Sequence, residues 1–273
     1  MMNTLLLEID KRVATITLNR PDKLNAFNHE LVAELTQVLH ELDENDEVNV
    51  IVLKGSGRCF GSGYDVTPSD KPYTTVAEWR KEAVDSNVMM YGAWDNRKPV
   101  IAQVHGYCFG GACDLVMSCD LAVCADNAVF SVPELQFGTH PSMLLMPYTM
   151  LMKHAKMVLM AGDRIGAEDA ARIGLVNQVV PAEKLDEAVQ ELAAKLVKVP
   201  TPALQACKKT INKIYELAGM RSAMFMSEEA FAAVKVQHTP ESDKFFEIAD
   251  QDGMKAAFKW RDAYFAGEVG LED

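Results

Sequence analysis

The sequence predicts an α/β domain with largely parallel sheets, followed by a helical C-terminal region, and three observations carry that reading. Strand-like apolar runs recur at 48–53, 100–104, 120–124 and 129–132, separated by helix-compatible stretches at 76–94 and 110–118; such alternation is the pattern of strands joined by crossover helices. Two glycine-bearing segments, Arg58 to Asp65 and Gly106 to Asp114, each follow one of those runs. Beyond about residue 180 the strand signals stop and only helical periodicity remains. The expected division is a core over 1–200 and a helical region over 201–273.

Taken in order, Leu5 to Ile9 and Val13 to Leu18 flank Lys11-Arg12 and read as a β-hairpin. Asn28 is placed to cap a helix whose apolar positions 31, 32, 35, 38, 39 and 42 fall on one face. In the C-terminal third, Glu183 to Val197, Ala203 to Leu217, Ser222 to Val236 and Ser242 to Tyr264 are helix-like, punctuated by Pro200, Pro202 and Pro240. Met220, Met224, Phe225 and Met226 cluster there, as expected of a packing surface against the chain or another subunit. No internal repeat or low-complexity tract is evident.

Composition narrows the function. With 49% hydrophobic residues in 273, a packed core is available. Twenty-seven Lys and Arg against 39 Asp and Glu leave a net charge of −12, which disfavours nucleic acid or anionic membrane as a general partner. The N-terminus lacks a basic region followed by a long apolar one, and the apolar run Met143 to Met152 is broken by Pro147 and too short to span a bilayer. Six cysteines, none at Cys-x-x-Cys spacing, fit reduced thiols in a cytoplasm. No metal-ligand spacing occurs, so no metal is expected.

The chemistry concentrates in the glycine segments. Gly110 and Gly111 open a helix, where unpaired amides and the helix dipole favour negative charge. Two such amides converging on one carbonyl oxygen form an oxyanion hole. Asp114 lies three residues beyond Gly111, on the same helical side. Glu134 follows Pro133 at the end of a strand-like run, where a loop can present it to the same cavity. An oxyanion hole flanked by two carboxylates equips a site to move a proton beside a carbonyl. Two carboxyls in one dry pocket resist joint ionisation, so one is expected neutral.

Segments resembling the crotonase, or enoyl-CoA hydratase/isomerase, superfamily then cover nearly the whole chain. They are Leu18 to Ala26, Arg58 to Asp65, Lys98 to Gly106, Gly106 to Asp114, Pro133-Glu134, Ala167 to Asn177 and Asp252-Gly253-Met254. The resemblance implies a core of repeated ββα units and a trimerising helical region, with trimers often paired into hexamers. It implies an acyl-CoA substrate, CoA being part of the substrate and no separate cofactor being needed. By position it makes Ser62 and Gly111 the oxyanion amides, Glu134 the second catalytic glutamate and Asp114 the occupant of the first glutamate's place. Arg20, Lys23, Leu24 and Ala26 fall where the CoA nucleotide approaches, and Cys59, Gly61, Tyr64, Asp65, Gly110, Pro133 and His140 border the substrate. Phe258, Lys259 and Arg261 match a C-terminal segment, often a neighbouring subunit's, that contacts CoA.

Four departures qualify this. Asp114 is shorter than the usual glutamate by about one C–C bond, ~1.5 Å. Asp followed by Glu is similar to the dienoyl-CoA isomerase branch, yet that branch's further Asp, eight residues after Glu134, is here Ser142. Thr139 to Leu145 replaces a glycine-rich stretch, and Trp260 stands where a lysine is frequent. His140 and His105 read as structural in catalysis. The expected activity is syn hydration of a 2-enoyl-CoA; the alternatives are double-bond isomerisation, then acyl-CoA hydrolysis or decarboxylation. Acyl identity is expected to depend on residues 64–94 and 139–152. A non-catalytic RNA-binding or assembly role is opposed by the charge. A dinucleotide-dependent dehydrogenase lacks Gly-x-Gly-x-x-Gly, and a serine nucleophile lacks Gly-x-Ser-x-Gly.

Overall fold

The computed structural model describes residues 2–67 and 73–272; residues 68–72, inside the 64–94 stretch expected to shape the acyl pocket, lie outside them. The elements are β1 (Leu5–Asp10), β2 (Val13–Leu18), α1 (His29–Glu44), β3 (Val50–Gly55), α2 (Val76–Asp95), β4 (Val100–Val104), β5 (Tyr107–Phe109) and α3 (Gly111–Ser118). They continue as β6 (Leu121–Ala125), β7 (Val129–Ser131), α4 (Met146–Thr149), α5 (Met152–Ala161), β8 (Ile165–Gly166), α6 (Ala167–Ile173), β9 (Gln178–Val180) and α7 (Leu185–Val197). The C-terminal helices are α8 (Thr201–Leu217), α9 (Met220–Lys235), α10 (Pro240–Asp252) and α11 (Met254–Phe265).

Six strands form one sheet in the order β1-β2-β3-β4-β6-β9, parallel apart from the β1–β2 hairpin. Its inner strands β3, β4 and β6 are buried on both faces, as parallel strands require. Alternation along each strand sorts the side chains: Ile51, Leu53, Ala102 and Cys124 enter the main core, while Val50, Val52, Ile101 and Val123 face Leu185, Val189 and Ala193 of α7. The main core is completed by α1, whose buried face is residues 31, 32, 35, 38, 39 and 42 as the periodicity predicts. The Asn28 side chain accepts from the Leu31 amide at 3.0 Å, the expected cap.

A second, three-stranded sheet has the order β5-β7-β8. Twice in succession the chain sends one strand to the large sheet and the next to this layer: β4 is followed by β5 and α3, and β6 by β7. Isolated bridges Gly61↔Cys108 and Phe27↔Tyr64 extend the layer toward the first glycine segment. The sequence pattern did not disclose β5, β8 or β9, which are three residues or fewer and too short for periodicity to mark. Ser242 to Tyr264 is two helices rather than one, divided at Gly253, whose φ of +85° a helix interior does not tolerate.

The helical region is pinned to the core through α8. The Lys208 ammonium, 8% exposed, donates to Asp120 Oδ2 at 2.7 Å and to the Lys98 carbonyl at 2.9 Å. The last two helices fold back onto their own chain. Phe245, Ala249 and Ala257 form a small core with Phe137 and Phe258, placing α10 and α11 against the 3-10 turn Glu134–Phe137.

Candidate active site

Gly110 has φ +54°, a left-handed value that favours glycine, and its amide donates to the Ser131 carbonyl at 2.8 Å. A Cβ at this position would stand 2.7 Å from Glu134 Oε1. The backbone turn and the carboxylate are therefore in contact, and no side chain could intervene. Gly111 then begins α3, so its N–H has no intrahelical acceptor. Among the described hydrogen bonds, no carbonyl accepts from it.

The second amide is not Ser62's. The Ser62 N–H donates to the Leu24 carbonyl at 3.0 Å and is unavailable to a ligand. The chain then turns at Gly63, φ +85°, where a Cβ would meet the Phe109 carbonyl at 2.7 Å and the Gly111 nitrogen at 3.1 Å. Phe27 donates to the Gly63 carbonyl at 2.8 Å, and Asp65 donates to the Phe27 carbonyl at 3.0 Å. A trans peptide points its C=O and N–H oppositely, so the Tyr64 N–H faces away from Phe27, toward the edge where Gly61 pairs with β5 and Gly111 lies. Among the described hydrogen bonds no carbonyl accepts from it. The two amides left without a described acceptor on this edge are thus those of Tyr64 and Gly111. Ser62, expected from the sequence, lies two residues before Tyr64, and only hydrogen bonding across the chain separates the two.

The two carboxyls differ in setting. Asp114, one turn into α3, is 2% exposed; burial, and after it the Glu134 charge, push its carboxyl well above the usual range. Glu134 opens the 3-10 turn, capped by Pro133, and burial pushes it up to about 7 against the opposing pull of its own backbone amide. Glu134 Oε2 is buried with no hydrogen-bond partner among the described residues. An orphaned carboxyl oxygen titrating near neutrality, beside free amides at a helix N-terminus, can exchange a proton with a carbon next to an anchored carbonyl.

Several other predicted contacts are structural. Arg20 bridges to Asp65 at 3.3 Å and donates to the Ala26 carbonyl, holding the loop around the exposed Lys23. Cys59 Sγ lies 3.6 Å from the Leu24 carbonyl, and Gly61 is paired with Cys108. The His140 ring nitrogen lies 2.7 Å from the Pro141 carbonyl. Arg261 is 8% exposed, its guanidinium 4.6 Å from the Phe137 ring centroid and 5.4 Å from that of Phe258. It braces the Glu134 turn of its own chain, and only Lys259 of that trio is fully exposed.

Further buried side chains, Asn25, Asn87 and Glu228 among them not singled out from sequence, hold these parts together. Asn25, 0% exposed, donates to the Ser56 and Cys59 carbonyls at 3.0 and 2.9 Å and fixes the loop entering the first glycine segment. Its φ of +53° follows Leu24 at +52°; Asn tolerates that region, which is the one local signal available. Tyr64, Asn87, Ser142 and Glu228 form a polar cluster from four distant segments, which no spacing rule reveals.

The sequence pattern of the enoyl-CoA hydratase/isomerase family matches residues 8–250. The short-chain-enoyl-CoA hydratase of Clostridium acetobutylicum is 33% identical over 234 residues, 84% of this chain and 88% of that one. The hydroxycinnamoyl-CoA hydratase-lyase of Pseudomonas fluorescens is 33% identical over 78% of this chain and 80% of its own. Among solved structures, an enoyl-CoA hydratase/isomerase from Xanthobacter autotrophicus Py2 superposes with a TM-score of 0.91 at 32% identity, covering 97% of this chain and 99% of that one. Sequence pattern, relatives and architecture agree, and the chain belongs to the enoyl-CoA hydratase/isomerase, or crotonase, family.

Proposed function

We propose that the protein is an enoyl-CoA hydratase, adding water syn across the double bond of a 2-enoyl-CoA. The observation that carries this is Glu134: a carboxyl with one unpartnered buried oxygen and an affinity for protons near neutrality, in contact with the Gly110–Gly111 turn. The thioester oxygen accepts from the Tyr64 and Gly111 amides, and negative charge accumulates there as the enolate forms. Ionised Glu134 takes a proton from water as the water oxygen bonds to Cβ. It returns a proton to Cα from the same face, giving the 3-hydroxyacyl thioester. Asp114, held neutral by burial, donates a hydrogen bond that positions the water.

CoA enters as part of the substrate. A reduced cytoplasmic setting is supported by five buried, unpaired cysteines. Assembly into a trimer is supported by apolar side chains left on the surface: Met152, Met157 and Met160 of α5 and Ile214 and Leu217 of α8 are each more than 60% exposed.

The test is spectrophotometric: absorbance of the conjugated enoyl thioester falls on addition of enzyme, and Glu134→Gln lowers kcat by roughly 10²–10⁴. Full activity in that variant would remove Glu134 from the mechanism. Isomerisation is the second reading, favoured by two proton-holding carboxyls around one enolate. Solvent deuterium at Cα or Cγ with no hydroxyacyl product would select it.

A further inference from the structure

The geometry points to Tyr64 as the residue that sets acyl size: its side chain closes the acyl pocket to all but short chains, while its amide serves the oxyanion hole. The inference rests on the acyl-CoA reading. With the thioester oxygen at the Tyr64 and Gly111 amides, the acyl carbons must pass the Asp114 and Glu134 carboxyls. The Tyr64 ring occupies the space beyond. A Cβ at Gly111 would lie 2.7 Å from Tyr64 Cε2 and 2.8 Å from Cδ2, so the ring covers the helix start. Its other edge meets Phe27 in a T-shaped contact, with centroids 5.8 Å apart. The hydroxyl crosses to α2, donating to Asn87 Oδ1 at 3.0 Å with the Ser86 carbonyl at 3.2 Å.

This wall is not free to swing. Asn87, 0% exposed, donates from Nδ2 to the Ser142 carbonyl and to Glu228 Oε1, both at 3.1 Å. The Ser142 hydroxyl donates to Asn87 Oδ1 at 3.1 Å, and Tyr91 donates to the same Glu228 oxygen at 3.1 Å. Glu228 is 2% exposed. Moving the phenol out would strip a donor from a buried network shared by α2, α9 and the loop before α4, and stranded buried polar groups are costly. An acyl chain long enough to reach this wall goes no further, and its remaining methylenes stay in water.

Saturated acyl-CoAs test this, because their binding needs no turnover. Calorimetric titration of the wild-type protein should show butanoyl-CoA bound about tenfold or more tighter than decanoyl-CoA. Tyr64→Ala should move that ratio by about tenfold or more toward decanoyl-CoA, and Asn87→Ala, which unfastens the phenol, by about threefold or more. The second variant stands in if the first does not fold. A wild-type protein that binds both chains equally, or a ratio unchanged in the variants, overturns the proposal. Binding of free CoA but of neither thioester overturns it together with the acyl-CoA reading. Selective butanoyl-CoA binding without hydration of any enoyl-CoA leaves Tyr64's role standing and removes the hydratase reading alone.

Discussion

Glu134 and Asp114 both hold protons more tightly than free carboxylic acids, and the consequences for pH have opposite signs. In the proposed mechanism Glu134 accepts from water only when ionised, so kcat/KM should rise with pH until about 7 and then level. Asp114 must be neutral, so the rate falls again at alkaline pH, giving a bell in stopped-flow or steady-state profiles; in Asp114→Asn the alkaline limb disappears. Stability follows the same linkage. A carboxyl whose folded affinity for protons is raised stabilises the fold fully below its unfolded pKa of about 4, and that contribution is lost as pH rises. Asp114→Asn should therefore melt higher than the wild type at pH 8 and alike at pH 3, read by differential scanning calorimetry. That two buried carboxyls stand near the Gly110–Gly111 turn was legible from Gly111 to Asp114 spacing and from Pro133-Glu134. Which amide of the first glycine segment is left free was not: Ser62 donates to the Leu24 carbonyl, and Tyr64 to no described carbonyl.

At the scale of elements, two contacts decide whether the helices hold. Lys208 is nearly buried and its partner Asp120 also accepts from the Val100 amide at 2.7 Å. Asp120 keeps some contact with water, so the loss falls on the ammonium's hydrogen bonds to Asp120 and to the Lys98 carbonyl, and Lys208→Ala should cost about 1–3 kcal/mol in urea unfolding. Arg261 lies over two rings beside the catalytic turn; Arg261→Ala should lose about 2 kcal/mol of stability and lower kcat, because the turn presenting Glu134 loses its backing. The long elements were readable because their apolar positions repeat: α1 follows its predicted face residue for residue. The break at Gly253 was hidden inside a continuous helical pattern, and Arg261 looked like a phosphate contact because sequence does not show which cations stack.

For the whole molecule, the apolar side chains exposed on α5 form one outward face with Lys153 and Lys156 between them. The double variant Met157→Glu, Met160→Glu should shift the mass measured by light scattering toward the monomer while leaving the far-ultraviolet dichroism unchanged. The α/β core and the helical third were legible as a change of periodicity near residue 180. The second sheet was not: only β7 carried a strand-like run, at 129–132, and its neighbours β5 and β8 are three and two residues long. The return of α10 and α11 onto the Glu134 turn of the same chain has a further effect. Acid and brace travel on one polypeptide, so a mixture of two crippled versions, one without the acid and one without the brace, cannot reconstitute a sound centre by exchanging subunits. Each copy stands or falls by its own tail.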